Sequence, residues 1–122
     1  MNVLVIASLA EAATGIIVLA YPPIATRVLF SAEISGAGVM MSRIAGIALI
    51  GLGVACWPKG DAVQALYGML TYSALVMLYL IVVGAGGTVG ILLWPAVAVH
   101  GILTFVLGYA IRRTKGFASM KA

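Results

Sequence analysis

Charged residues are scarce in this chain of 122 residues, because seven Lys or Arg and three Asp or Glu make up only 8% of it. A soluble domain of this size carries about a quarter of its residues as charges. Hydrophobic residues make up 64% of the chain, and the mean hydropathy is +1.21. The composition therefore excludes a soluble globular domain and predicts an integral membrane protein whose first partner is the lipid bilayer.

Cysteine and histidine each occur once. Cys56 alone excludes an internal disulfide and any CxxC redox or zinc motif. His100 alone provides no bis-histidine haem or metal site within one chain, so we expect a hydrogen-bonded structural histidine. We predict no catalytic residues, no metal and no cofactor, and hence no enzyme. The net charge of +4 is concentrated towards the C-terminus, which indicates topology and lipid contact rather than nucleic-acid binding.

Apolar runs close to twenty residues recur along the chain, and runs of this length are typical of membrane-spanning helices. The first run is too long for a signal peptide and lacks basic residues before it, so we expect it to be retained. Turn-forming stretches separate the runs: YPP at 21–23, WPKGD at 57–61 and GAGG at 84–87. We predict one integral membrane domain over 1–122, with spans at 2–20, 38–57, 62–83 and 89–111.

The longest connection, 22–36, contains Arg27, Glu33 and an apolar pair, and we expect a short helix lying in the membrane interface. Orientation follows from the basic residues near the helix ends, because these favour the cytoplasmic side. The predicted fold is an all-α, antiparallel four-helix transmembrane bundle with both termini in the cytoplasm. The residues expected to anchor this topology and to contact anionic headgroups are Lys59, Arg112, Arg113 and Lys115.

Each predicted span carries one large polar side chain near the middle of the bilayer. A helical rise of ~1.5 Å per residue gives depths of about 14 to 21 Å from the cytoplasmic ends. An isolated charge at such a depth is unfavourable by roughly 2.5–3.5 kcal/mol, so such residues usually turn inward and pair. We predict a Glu11–Arg43 ion pair with further hydrogen bonds around it. The predicted buried polar layer consists of Glu11, Arg43, Tyr72 and His100.

Small residues accompany these polar residues at helical spacing, and small residues permit close helix packing in lipid. The pattern places the polar groups at contacts between helices. An alternative for Glu11 and Arg43 is a functional pair that binds a proton or a substrate. The three stripes are Ser8, Glu11 and Gly15 in the first span; Arg43, Gly46, Ile50 and Gly53 in the second; and Ala96, His100, Thr104 and Gly108 in the fourth.

The opening sequence LAEAATG, at 9–15, is similar to the first helix of the small multidrug resistance transporters. Members of that family have four short helices and carry a membrane glutamate in a similar LAE…G context. The resemblance covers only the first helix. It implies proton-coupled export with Glu11 as the switching carboxylate.

A broader resemblance is to the DoxX-like group of small four-helix bacterial membrane proteins. It is carried by SRIAGIALIGLGVACWP at 42–58, where an arginine opens a glycine-rich helix, and by LLWPAVAVHG at 92–101. The resemblance implies a four-helix bundle in the bacterial inner (cytoplasmic) membrane. Some members of this group resemble subunits or helpers of membrane redox complexes.

The leading functional hypothesis is a non-catalytic accessory subunit or assembly factor of a larger membrane complex. Its expected partners are other integral membrane subunits or a second copy of the chain, and no nucleic acid. One alternative is a small proton-coupled transporter that uses Glu11. Another is a subunit that contacts a quinone or a pigment through the aromatic residues Tyr72, Tyr79, Trp94 and His100.

Overall fold

The structure is a computed structural model that describes residues 2–59, 62–87 and 89–120, with side chains as far as Gly116. This part of the chain is helical and contains no strand. Four of its helices are long and apolar enough to cross a membrane, which confirms the all-α class and supports an integral membrane protein. The five helices are α1 (Asn2–Ala20), α2 (Pro22–Phe30), α3 (Ala37–Ala55), α4 (Val63–Ala85) and α5 (Leu93–Met120).

Two prolines separate α1 from α2. The first helix ends at Ala20, as predicted, and Pro22 and Pro23 occupy the first turn of α2. Proline fits there because the N–H groups of a first helical turn have no partner within the helix. Helix α2 confirms the short helix predicted in the 22–36 connection. It ends at Phe30, and the next residue, Ser31, caps it with a left-handed backbone (φ 51°) and an N–H that donates to the Arg27 carbonyl at 3.0 Å.

The segment before α5 is bound to the end of α2, which explains why α5 begins at Leu93 rather than near 89. The Gly90 N–H donates to the Leu29 carbonyl at 2.9 Å, and the Leu92 N–H donates to the Val28 carbonyl at 2.8 Å. These residues satisfy their backbone groups across the molecule instead of within a helix. Helix α5 also continues past the predicted end at 111 to Met120.

Proline 95 causes no break in α5. It is the third residue of the helix, and a missing N–H within the first turn removes no hydrogen bond of the helix.

Helix α1 packs mainly on α3, α4 packs mainly on α5, and α1 provides the contacts between these two pairs. Glycines bring α1 and α3 very close together. A Cβ atom added at Gly15 would lie 2.6 Å from the Gly46 carbonyl oxygen, and one at Gly53 would lie 2.6 Å from the Ser8 carbonyl oxygen. These glycines lie at the helix contact, as predicted. Gly108 does not, because a Cβ atom added there would meet no other helix of the described residues within 4 Å.

The apolar core lies where the two helix pairs meet. Outside it, large apolar side chains are exposed on all four long helices, for example Val82 at 70% and Phe105 at 78%. Such surfaces suit contact with lipid rather than water. The core residues are Leu4, Ala7, Cys56, Leu66, Met69, Leu107 and Ile111.

Candidate functional site

Glu11 lies on the inner face of α1, where only 6% of its surface is exposed. It follows Ser8 by three residues, so the two side chains share one face of the helix. The Glu11 carboxyl group lies beside the Tyr72 hydroxyl of α4 and interacts with it. The carboxylate of α1 is therefore held by an uncharged partner.

Tyr72 also contacts His100 of α5. Their ring centroids lie 5.9 Å apart and the angle between the ring planes is 74°. This is the edge-to-face arrangement that aromatic pairs prefer. Glu11, Tyr72 and His100 thus lie next to one another on three helices. We call these three residues the polar cluster.

Buried polar atoms on the same helices lack partners. The hydroxyl oxygens of Ser8 and Ser73 and the Nδ1 atom of His100 are buried and have no hydrogen bond among the described residues. Buried polar groups are normally satisfied, so this region retains unused hydrogen-bonding capacity. These atoms and the Glu11 carboxyl group are able to bind a proton or to form hydrogen bonds with a small polar group. No group of three His, Cys, Asp or Glu that would hold a metal occurs within the described ranges.

Ser73 is the polar residue that sequence reasoning missed. It belongs to the buried face of α4, whose members follow one another at intervals of three, four or seven residues. That helical stripe was the available signal. The buried residues of α4 are Leu66, Met69, Ser73, Leu80 and Gly84.

Arg43 does not join the polar cluster, and the prediction of an ion pair between Arg43 and Glu11 is therefore wrong. Its side chain is exposed, and no ion pair links it to Glu11. The glycine contacts of α3 explain this, because backbones packed so closely leave no room for a guanidinium group between them. The ion pair that the described residues do form is Arg27–Glu33 (2.5 Å), which is exposed and lies outside the spanning helices. An exposed pair of this kind contributes little stability.

The four predicted anchor residues, Lys59, Arg112, Arg113 and Lys115, are all exposed. Two of the basic groups lie over aromatic rings: Arg113 is 6.0 Å from the Tyr109 ring centroid, and Lys115 is 5.7 Å from that of Tyr67. Cation–π contacts of this length are weak at exposed sites. Because Tyr67 belongs to α4, the Lys115 contact places the basic end of α5 beside the start of α4.

The aromatic residues of the quinone hypothesis do not converge. Tyr72 and His100 are in contact, whereas Tyr79 is 63% exposed and Trp94 is 51% exposed. Trp94 lies near Gly84 instead, where an added Cβ atom would be 3.2 Å from its ring. Only half of the proposed residue set is therefore brought together.

A cavity of about 330 Å³ opens on the surface between α1 and α3. Apolar and small side chains form most of its wall, and Trp57 and Lys59, which follow α3, form part of it. Its lining residues are Ser8, Leu9, Ala12, Gly53, Val54, Trp57 and Lys59.

Comparison of the chain with family models, with curated proteins and with solved structures gave no match.

Proposed function

We propose that this protein is a non-catalytic accessory subunit or assembly factor that docks within the membrane against a larger protein. The observation that carries the proposal is Arg43. It lies about 9 Å along α3 from Ala37, is exposed, and has no hydrogen bond or ion pair among the described residues. Charged residues within spanning helices usually have a partner. A partner for Arg43 is supplied most simply by another membrane protein.

The proposal includes an antiparallel bundle in the bacterial inner membrane, with both termini in the cytoplasm, as in the DoxX-like group. Two contacts support the arrangement: later residues of α1 meet earlier residues of α3, and Lys115 lies beside Tyr67. The exposed basic residues support the orientation.

In a Cys56→Ser background, a cysteine introduced by Asn2→Cys should react with an impermeant thiol reagent only from the cytoplasmic side. Labelling from the opposite side would reverse the orientation.

Native purification tests the subunit hypothesis. We expect extraction into native nanodiscs, followed by mass spectrometry, to recover the protein with one larger membrane protein at a fixed ratio. The physical reason is that a guanidinium group paired with a carboxylate inside the membrane slows dissociation of the complex, because separation would leave both charges unpaired. A tagged small membrane protein without intramembrane charges serves as the control. Recovery of the chain only alone, or only with itself, in intact lipid would mean that Arg43 reaches the headgroups instead.

A second candidate function is small proton-coupled transport, favoured by the finding that Glu11 interacts with Tyr72 and with no cation among the described residues. An uncompensated membrane carboxylate is able to exchange a proton during a transport cycle. Glu11→Gln keeps an acceptor for the Tyr72 hydroxyl but removes the titrating group. We therefore expect the variant to fold and to lose substrate-driven current in proteoliposomes.

The matched control for this experiment is Glu33→Gln, which removes an exposed carboxylate outside the spanning helices. That variant should retain the full current. If no candidate substrate produces a current that depends on Glu11, the transport hypothesis loses its support.

A further inference from the structure

One side of α3 combines Arg43, which has no partner among the described residues, with an exposed apolar stripe. Arg43, Ile47 and Val54 follow one another at helical spacing and therefore share a face of the helix. Ile47 is 58% exposed and Val54 is 70% exposed. Because Val54 lines the cavity between α1 and α3, Arg43 lies on the same side of α3 as that cavity.

The adjoining wall belongs to α1. Leu9 and Ala12 line the cavity, and Ile16 continues their stripe by one further turn. Leu9 is 54% exposed and Ile16 is 58% exposed. Between the two stripes, the close glycine contacts of α1 and α3 leave a groove, and a groove between side-chain ridges is where a further helix packs. We call this surface the α1/α3 groove; it comprises Leu9, Ala12, Ile16, Arg43, Ile47 and Val54.

We propose that the α1/α3 groove is the docking surface for one membrane-spanning helix of a different protein, with an Asp or Glu of that helix paired to Arg43. This inference rests on the subunit function proposed above and names the chemistry of the partner. The apolar stripes provide packing area, and the arginine fixes the register of the docked helix. Arginine suits this role because its planar guanidinium binds a carboxylate through two parallel hydrogen bonds.

A second copy of the chain does not meet this requirement. Glu11 is only 6% exposed and faces Tyr72 inside the bundle, and Glu33 is paired with Arg27 outside the spanning helices. The spanning helices of the described ranges therefore offer no free carboxylate. The third acidic residue, Asp61, lies outside the described residues, and the sequence predicts a turn there. A copy docked in the same groove would instead bring a second Arg43 and repel the first.

A phospholipid fits less well than a helix. Its phosphate stays at the membrane surface, whereas Arg43 lies about 9 Å along α3 from Ala37. The exposed stripes of α1 and α3 extend for several turns on either side of the groove, which matches the length of a helix contact. Lipid occupancy is nevertheless an outcome that the experiment distinguishes.

Site-specific photo-crosslinking in native membranes tests the proposal. A photo-crosslinking amino acid at position 47 should give one product with a membrane protein, joined at a spanning segment with an Asp or Glu within one turn. The control is the same amino acid at position 102 of α5, where Ile102 is 63% exposed; it should not give this product. Arg43→Gln should lower the yield at position 47 at least about tenfold, because it leaves the partner carboxylate unpaired.

Folding is checked in the same series. Arg43 has no partner among the described residues, so purified Arg43→Gln should melt at the wild-type temperature, and Arg43→Lys should restore part of the crosslink. Crosslinks only to a second copy, only to lipid, or to a segment without an acidic residue overturn the proposal, as does an unchanged yield in Arg43→Gln. In those cases a co-purified partner would still support the subunit function. Absence of any such partner would remove both.

Discussion

Gly46→Ala is expected to destabilise the protein, whereas the same substitution at Gly51, in the same helix, is expected to stabilise it slightly. An added Cβ atom at Gly46 would lie 2.7 Å from both the Gly15 carbonyl oxygen and the Leu19 nitrogen. Both atoms are backbone, so the methyl group is accommodated only if α1 and α3 move apart. We expect a loss of about 1–3 kcal/mol in the free energy of unfolding, as for other overpacked contacts.

Gly51 is the matched control because no atom of another helix among the described residues lies within 4 Å of the corresponding Cβ position. Alanine is favoured over glycine inside a helix by up to about 1 kcal/mol, and nothing at Gly51 opposes that gain. Reversible unfolding in mixed detergent micelles, followed by circular dichroism, measures both variants. Equal changes in the two variants would show that the α1–α3 glycine contact does not stabilise the fold.

Gly90→Ala is expected to detach the segment before α5 from the end of α2. A Cβ atom at Gly90 would contact the Val28 carbonyl and the backbone of Leu29. The substitution is therefore expected to break or lengthen three hydrogen bonds. Two are those that the Gly90 and Leu92 amides donate to the end of α2. The third runs from the Ser31 hydroxyl to the Val89 carbonyl at 3.0 Å. Each contributes about 0.5–1.5 kcal/mol, so we expect a loss of about 2 kcal/mol or more.

Hydrogen–deuterium exchange measures this effect directly, because the Leu92 amide should lose protection in Gly90→Ala. Gly86→Ala is the control in the same connection. Gly86 has a right-handed backbone (φ −74°), and its added Cβ atom would have its nearest neighbour at 3.3 Å. A Leu92 amide that stays protected in Gly90→Ala would contradict the importance of this contact.

The spanning helices were predictable because their signals are local. The pair Pro22-Pro23 identifies the end of α1 and the start of α2 from sequence alone, since proline restricts its own backbone and that of the preceding residue. The start of α5 was not predictable in this way. It depends on hydrogen bonds to Val28 and Leu29, which are distant in sequence and leave no periodic pattern.

Among the polar residues, too, positions set by a local sequence pattern were predictable, whereas a position set by tertiary contacts was not. Helical spacing correctly placed Ser8 and Glu11 on a buried face of α1, because both lie on the buried stripe that runs from Leu4 to Gly15. Arg43 precedes Gly46 by three residues, which leaves it about 60° away from the glycine around the helix axis. A residue at the edge of a face turns inward or outward according to the space available, and the close glycine contact leaves none.

The interaction between Glu11 and Tyr72 has a consequence for biosynthesis. Half the length of the chain separates the two residues, so α1 leaves the ribosome and meets the insertion machinery well before α4 has been made. During that interval the carboxyl group lacks the hydroxyl that later holds it, and a carboxylate at that depth opposes entry into lipid by roughly 2.5–3.5 kcal/mol. Helix α1 is also the most apolar of the four spanning helices. The leucine, isoleucine and valine side chains of α1 therefore offset the free-energy cost of inserting this carboxylate. The interaction with Tyr72 becomes available only after α4, the third spanning helix, has entered the membrane.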